Sequence, residues 1–166
     1  MTPPRRLSSA DVARLLQSHS AGTSPGFLLW RATLRWQRTV TAVLKEEGLT
    51  HVQFSVLSTI WWFDRQGHVP SQRDVSNHAS LDRVMMSQVV RLLERDGLVE
   101  RAVDEHDGRV RRLRITAEGR TVADRAVALM DATDNEFFGV LDDLPSFVSS
   151  VALLAGVTDM GTVDPD

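Results

Sequence analysis

The sequence contains no cysteine. That excludes a disulfide framework, a thiolate metal site and thiol-based redox sensing, and a reducing cytoplasm is the expected location. No apolar run approaches the roughly 20 residues that a membrane span needs. The two prolines and two arginines of Met1 to Arg6 are followed by no apolar stretch of signal-peptide length. Lysine is almost missing: Lys45 stands alone beside eighteen arginines, a bias that GC-rich coding explains better than phosphate contact does. The five histidines, His19, His51, His68, His78 and His106, show no metal-ligand pairing. A nucleophile elbow and a phosphate-cradling glycine loop are also absent. No catalytic residue, metal site or cofactor is therefore expected, and the chain does not read as an enzyme.

What is present suits a globular protein. At 166 residues and 42% hydrophobic content, the chain can bury one core, with or without an added dimerisation element. The formal net charge of -3 hides an asymmetry. Residues 1–70 hold 8 basic against 4 acidic side chains, residues 71–116 hold 9 against 8, and residues 117–166 hold 2 against 10. The acidic excess thus lies wholly in the last third, which would turn a polyanion away from that end.

Along the chain, residues 1–24 read as a flexible arm in which Leu7, Val12, Leu15 and Leu16 could line a short helix. A long amphipathic helix is predicted from about Phe27 to Glu47, with Leu29, Thr33, Trp36, Val40 and Val43 or Leu44 in step and Gly48 as its stop. Its extra apolar residues, Phe27, Trp30 and Leu34, suggest burial on two sides. Thr50 and Gln53 have the form of a capping box that opens the next helix. Phe54, Leu57 and Trp61 are its expected buried stripe, and Trp61-Trp62-Phe63 reads either as core at a helix end or as lining for a flat ligand.

From Ser71 to Thr116 the pattern is two short helices, a turn and a two-stranded ribbon. Ser71 is the expected N-cap of the first, Ala79-Ser80-Leu81 the turn, and Asp82 the cap of a helix running to about Asp96. Met86, Val89 or Val90, and Leu93 fall on its inner face, leaving Arg83, Met85, Ser87, Gln88 and Arg91 outside. Gly97 stops that helix before the first strand, Leu98-Val99. The ribbon returns through Arg109-Val110-Arg111-Arg112-Leu113-Arg114, a half-buried strand crowded with arginine. Asp104 to Asp107 form a contiguous acidic cluster that cannot converge on one metal ion, so a turn is the better reading.

This ordered set, from Leu49-Thr50 and Gln53-Phe54 through Leu93-Glu94-Arg95-Asp96-Gly97-Leu98-Val99 to Asp104, Asp107-Gly108-Arg109 and Leu113-Arg114-Ile115-Thr116 with Gly119, resembles the MarR family of bacterial winged helix-turn-helix transcriptional regulators. His106 and Arg91 depart from the common pattern. The resemblance implies a mainly α fold: a winged helix-turn-helix with a two-stranded β wing, and N- and C-terminal dimerisation helices. It implies a homodimer that binds double-stranded DNA at a pseudo-palindromic operator as a ligand-responsive repressor. The Asp82 to Asp96 helix would then enter the major groove and the Asp104 to Arg111 wing the adjacent minor groove.

The residue chemistry fits those roles. Gln88 can bond adenine and Arg83 guanine, with Met85 against a thymine methyl, and Val84 is counted with the DNA-binding residues of the same helix. Ser71, Arg73, Ser87 and Arg91 suit phosphate or mixed contacts. Arg109 is the expected minor-groove probe, with Asp107 orienting it. Arg111, Arg112 and Arg114 add charge along the ribbon, some of it pairing with Glu100 or Glu105. A small aromatic or amphipathic acid is the expected effector, with Trp30, Arg31, Trp36, His51, Phe54, Trp61 and Trp62 as lining.

Segments follow from these roles: 25–48 a dimerisation helix, 49–116 the DNA-binding lobe, 117–156 C-terminal dimerisation helices and 157–166 a tail. In the C-terminal helices, Thr116 is the expected cap, Val122, Ala126, Leu129, Thr133 and Phe137 share one face, and Pro145 opens the last helix. Phe147, Val148, Val151, Leu153 and Leu154 give it more apolar surface than a monomer hides. The alternative is a winged-helix protein–protein interaction module without a role on DNA.

Overall fold

The computed structural model describes Ser8, Ala10, Asp11, Gln17 and residues 24–157. The expected helix of Leu7, Val12, Leu15 and Leu16 lies outside the described residues, as does nearly all of the 157–166 tail. The chain divides into two units, the first ending at Ala42 and the second starting at Val43.

The helix α1, Pro25–Glu46, crosses that division. Pro25 occupies its first turn, where the lost N–H has no helical partner to miss. Val40 and Leu44 are buried as the predicted stripe requires, but Leu29 and Thr33 are exposed and Leu28 and Trp30 stand out with them. The stripe is thus covered only towards the helix's C-terminal end.

In the second unit, α2 (His51–Arg65) is the element against which the others are set: it packs on α3 (Gln72–His78), α4 (Arg83–Arg95), β2 (Arg111–Ile115) and α5 (Ala117–Phe138). The capping box forms as read, with Gln53 N donating to Thr50 Oγ1 at 3.2 Å and Thr50 N to Gln53 Oε1 at 2.9 Å. The buried arc differs from the expected stripe. Val56, Leu57 and Ile60 are fully covered, while Phe54 and Trp61 are half-buried. Gln53, Val56, Leu57 and Ile60 form a stripe at i, i+3, i+4 and i+7 that is rotated from the expected one, and Trp61 at its edge keeps its indole N–H within reach of a partner. It finds Asp124 Oδ1 at 2.8 Å.

The helix-turn-helix is built from local capping. Ser71 Oγ accepts the Asp74 N–H, and the Asp74 carboxylate accepts the Ser71 N–H in return. The turn passes through Ser80 at φ 52°, and Asp82 then caps α4 by accepting the N–H groups of Val84 and Met85 at 2.8 and 2.9 Å. Met86, Val89, Val90 and Leu93 are buried. Gly97, at φ 73°, lets Leu98 N reach back to Leu93 O at 2.9 Å, which closes the helix and turns the chain into the wing.

The wing pairs β1 (Val99–Val103) antiparallel with β2, from Val99 opposite Ile115 to Val103 opposite Arg111. A bridge between Ser71 and Arg112, with Leu113 N donating to Pro70 O at 2.9 Å, ties the wing to the segment before α3. Its base is clamped to α5. Thr116 caps that helix through Gly119 N at 2.9 Å, and its hydroxyl also donates to Gly97 O at 2.7 Å. A side chain at Gly119 would put its Cβ 2.0 Å from Leu98 O, so glycine is what allows α5 to start there.

Val122, Ala126 and Thr133 of α5 are buried, together with Ala123 and Met130, whereas Leu129 and Phe137 are only half-covered. The last helix, α6 (Leu144–Leu154), has Pro145 in its first turn and no buried residue. Phe147, Val148, Val151, Leu153 and Leu154 are all exposed.

Candidate nucleic-acid interface

Between the helix-turn-helix and the wing lies an open cleft of about 620 Å³, lined by Ser71, Gln72, Arg73, Ser76, Asn77, Arg83, Met86, Arg109, Val110 and Arg111. Four of these ten are arginine and none is acidic. Three elements converge to make it: α3 supplies Arg73, the first turn of α4 supplies Arg83, and the wing tip supplies Arg109 and Arg111. The outward face of α4 continues from this cleft through Val84, Met85, Gln88 and Arg91, all exposed, with Ser87 half-buried beside them.

The arginines of the lobe differ in their partners. Arg95, Arg101, Arg112, Arg120 and Arg125 form ion pairs with Asp96, Glu94, Asp104, Asp64 and Glu47. Among the described residues, the side chains of Arg73, Arg83, Arg91 and Arg109 take no ion pair, and Arg111 donates only to backbone carbonyls, to Gly108 O at 2.9 Å. Arg31, Arg38, Arg65 and Arg114 take no ion pair either, but they are scattered, whereas Arg73, Arg83, Arg109 and Arg111 converge on the cleft and Arg91 extends them along α4. Exposed guanidiniums without carboxylates, on a concave surface, make a site for anionic oxygens.

The wing tip is held by Asp104. Its carboxylate accepts Arg112 Nε at 2.6 Å and the backbone N–H groups of His106 and Asp107 at 2.9 and 3.0 Å. These bonds, the Arg112 one first, bring its pKa down to about 2. Arg112 also donates to Val69 O at 3.0 Å. The expectation of pairing with Glu100 or Glu105 is therefore corrected: Arg112 pairs with Asp104 and fastens the wing to the body. Arg114 is exposed, at the rim of a small cavity of about 130 Å³ that Asp64, Glu100 and Arg120 also line. Arg112 and Arg114 share the outer face of β2, opposite the buried Leu113 and Ile115. Arg111 shares parity with buried Leu113 and Ile115, yet stays exposed at the strand's outer end. Asp107 accepts the Arg109 N–H at 2.9 Å, so it shapes the turn that presents Arg109.

Ser71 lines the cleft, but its hydroxyl also donates to Asp74 at 2.8 Å. The sequence reading did not single out Gln72, Ser76 and Asn77. Their place on α3, Gln72 next to Arg73 and Ser76 and Asn77 one turn on, was the available signal.

The expected effector residues are not all brought together. Trp61 bonds Asp124 on α5 and lies under the Arg65 guanidinium, 4.9 Å from its ring centre. Trp62, the next residue, faces α3, stacked on His78 at 5.5 Å and edge-on to Phe63 at 5.0 Å. Successive helical residues point about 100° apart, so the pair cannot line one wall. His51 and Phe54 are half-buried in the first turn of α2. Burial pushes the His51 pKa down, against an opposing pull from Asp134. Trp30, Arg31 and Trp36 belong to the first unit, where Arg31 sits 5.8 Å over the Phe27 ring and Trp30 is exposed.

The ArnR1-like winged-helix domain family matches residues 45–133, a span that takes in the helix-turn-helix, the wing and most of α5. The uncharacterised HTH-type transcriptional regulator YdcH of Bacillus subtilis strain 168 is 36% identical over 129 residues, covering 78% of this chain and 88% of its own. A transcriptional regulator of the MarR family from Rhodococcus sp. RHA1 has a similar structure, at TM-score 0.71 and 28% identity over 85% of this chain and 97% of its own. CouR from Rhodococcus jostii RHA1, solved with p-coumaroyl-CoA bound, matches at TM-score 0.72 and 28% identity over 87% and 99%. With this domain match, these relatives and the cleft between helix-turn-helix and wing, the chain belongs to the MarR family of winged helix-turn-helix, DNA-binding transcriptional regulators.

Proposed function

We propose that the chain acts as a homodimeric, effector-responsive repressor on a pseudo-palindromic operator whose half-sites lie roughly 10 bp apart. The observation that carries this reading is a cleft lined by Arg73, Arg83, Arg109 and Arg111 with no acidic residue, which Arg91 extends along the exposed α4 face. In this reading Gln88 and Arg83 contact base edges, Ser71, Arg73, Ser87 and Arg91 set register on phosphates, and Arg109 probes the minor groove with Arg111 beside it. Asp107 and Arg112 act by holding the wing. The lobe works without catalysis, in the cytoplasm, where bacterial DNA lies.

Residues 25–48 and 117–156 serve dimerisation. The exposed apolar residues of α1 (Leu28, Leu29, Trp30) and of α6 (Phe147, Val148, Val151, Leu153, Leu154) support this, since apolar surface on this scale marks an interface. The effector is a small aromatic acid or its thioester. CouR's ligand supports the class, and His51, Phe54 and Trp61 are the residues of the second unit that we assign to it. Trp62 is withdrawn from this set because it stacks on α3.

Selection of bound sequences from a random DNA pool tests the central reading. The expected result is an enriched inverted repeat; an unenriched pool contradicts it. Quenching of tryptophan fluorescence by aromatic acids or their CoA thioesters, with release of the selected DNA, tests the effector. A panel that neither quenches nor releases counts against it.

A further inference from the structure

The outer face of α4 opens with two apolar side chains in succession, Val84 at 68% exposure and Met85 at 42%. The Asp82 carboxylate accepts the backbone N–H of each, so the first turn is held and neither side chain can withdraw by fraying. Arg83 precedes them, and Gln88 follows one turn later on the same face, four residues from Val84 and three from Met85. Two apolar groups therefore sit in the middle of an otherwise polar reading surface.

A groove that admits α4 strips water from these side chains and from the base edges beneath them. Set against N7, O6, O4 or an exocyclic amine, valine and methionine would leave those polar atoms without a partner, which costs more than the apolar contact returns. The one apolar group on a major-groove edge is the thymine 5-methyl. We propose that Val84, with Met85 beside it, is a specificity-determining residue that reads thymine methyls. It makes the core of each half-site rich in A·T pairs. The inference rests on the reading of α4 as the groove helix. Four residues of helix span about 6 Å, or about two base pairs at 3.4 Å each. The thymine under Val84 accordingly lies within about two base pairs of the adenine taken by Gln88.

The test replaces thymines of the selected operator one at a time by deoxyuridine, which removes the methyl and keeps O4 and the pairing edge. Wild-type protein loses about fourfold in affinity at the thymine under Val84 and again at the one under Met85, the amount expected for one methyl-sized group. Thymines elsewhere are insensitive. Val84→Ala binds thymine and uracil alike at the first position, and Met85→Ala does so at the second. Both variants keep the wild-type melting temperature, because each side chain is exposed. An enriched operator that tolerates uracil throughout the half-site overturns this inference alone. So does uracil sensitivity that persists unchanged in both variants. A pool that yields no enriched sequence overturns the groove-helix reading and this inference with it.

Discussion

Arginine does opposite work on the two sides of this lobe. On the body side, Arg120 grips Asp64 with two bonds of 2.6 and 2.8 Å, joining α5 to α2, and Arg125 bonds Glu47 at 2.9 Å. Each of these guanidiniums has its carboxylate. On the cleft side, Arg73, Arg83 and Arg109 face one concavity with no acidic residue in its lining. Like charges held close together repel, so such a group costs the free protein something and becomes favourable only when an anion arrives. The same residue type thus serves as scaffold where it is paired and as contact surface where it is not. Net charge cannot see this difference: the Ser71 to Thr116 stretch carries only one more basic than acidic residue.

The comparison can be broken most severely at Gly119. Substitution by alanine drives a Cβ into Leu98 O and should destabilise the fold by about 3 kcal/mol, read as a large drop in melting temperature. The protein that remains folded in the cold should still bind DNA.

Arg83→Ala should do the reverse. Melting stays at the wild-type value while operator affinity falls by about 1–3 kcal/mol, the value of a bidentate base contact. Equal loss on operator and on unrelated DNA would demote Arg83 to a phosphate contact. Gln88→Ala sharpens the division between reading and positioning, since it should narrow the gap between operator and unrelated DNA while non-specific binding persists.

Acid tests the body side. Asp104 is brought from an ordinary 3.8 to about 2 by Arg112 and two backbone N–H groups, and Asp64 is lowered chiefly by its bond from Arg120. A depressed carboxylate adds stability that is fully present above its unfolded pKa and disappears as pH falls through the folded one. Stability should therefore decline between about pH 4 and pH 2, and Asp104→Asn should flatten that decline. A wild-type acid profile in the variant would remove Asp104 from its place as the wing's anchor. Smallest of all, Arg120→Ala should change melting only slightly, as usual for an exposed pair, and should leave DNA affinity untouched.

Much of this fold was legible because its signals are local. Thr50, Ser71, Asp82 and Thr116 cap helices within three residues of themselves, and Gly97 ends α4 where a left-handed residue is needed. Such chemistry can be read from neighbours in sequence. What escaped depends on distant partners. Asp64 and Arg120 are 56 residues apart, and nothing in either neighbourhood announces the other. The Arg112–Asp104 pair was missed for Glu100 or Glu105 because it depends on the strand register, which sets Ala102 opposite Arg112 and so leaves Asp104 on the diagonal. Trp61 and Trp62 looked like one aromatic cluster, yet one serves α5 and the other α3. Phe54 lost its place in the core because the buried stripe of α2 runs through Gln53, Val56, Leu57 and Ile60, one residue round from where its aromatic side chains suggest.

The most direct measurement is the salt dependence of operator binding, taken in parallel for the wild type, Arg109→Ala and Arg125→Ala. Each phosphate neutralised adds about one to the slope of log affinity against log salt. The predicted result is that the unpaired Arg109, on loss of its guanidinium, reduces the slope by about one and weakens binding, while the paired Arg125 leaves both unchanged. Equal slopes in all three proteins, or a reduction in Arg125→Ala as large as in Arg109→Ala, would contradict the division between scaffold and contact arginines.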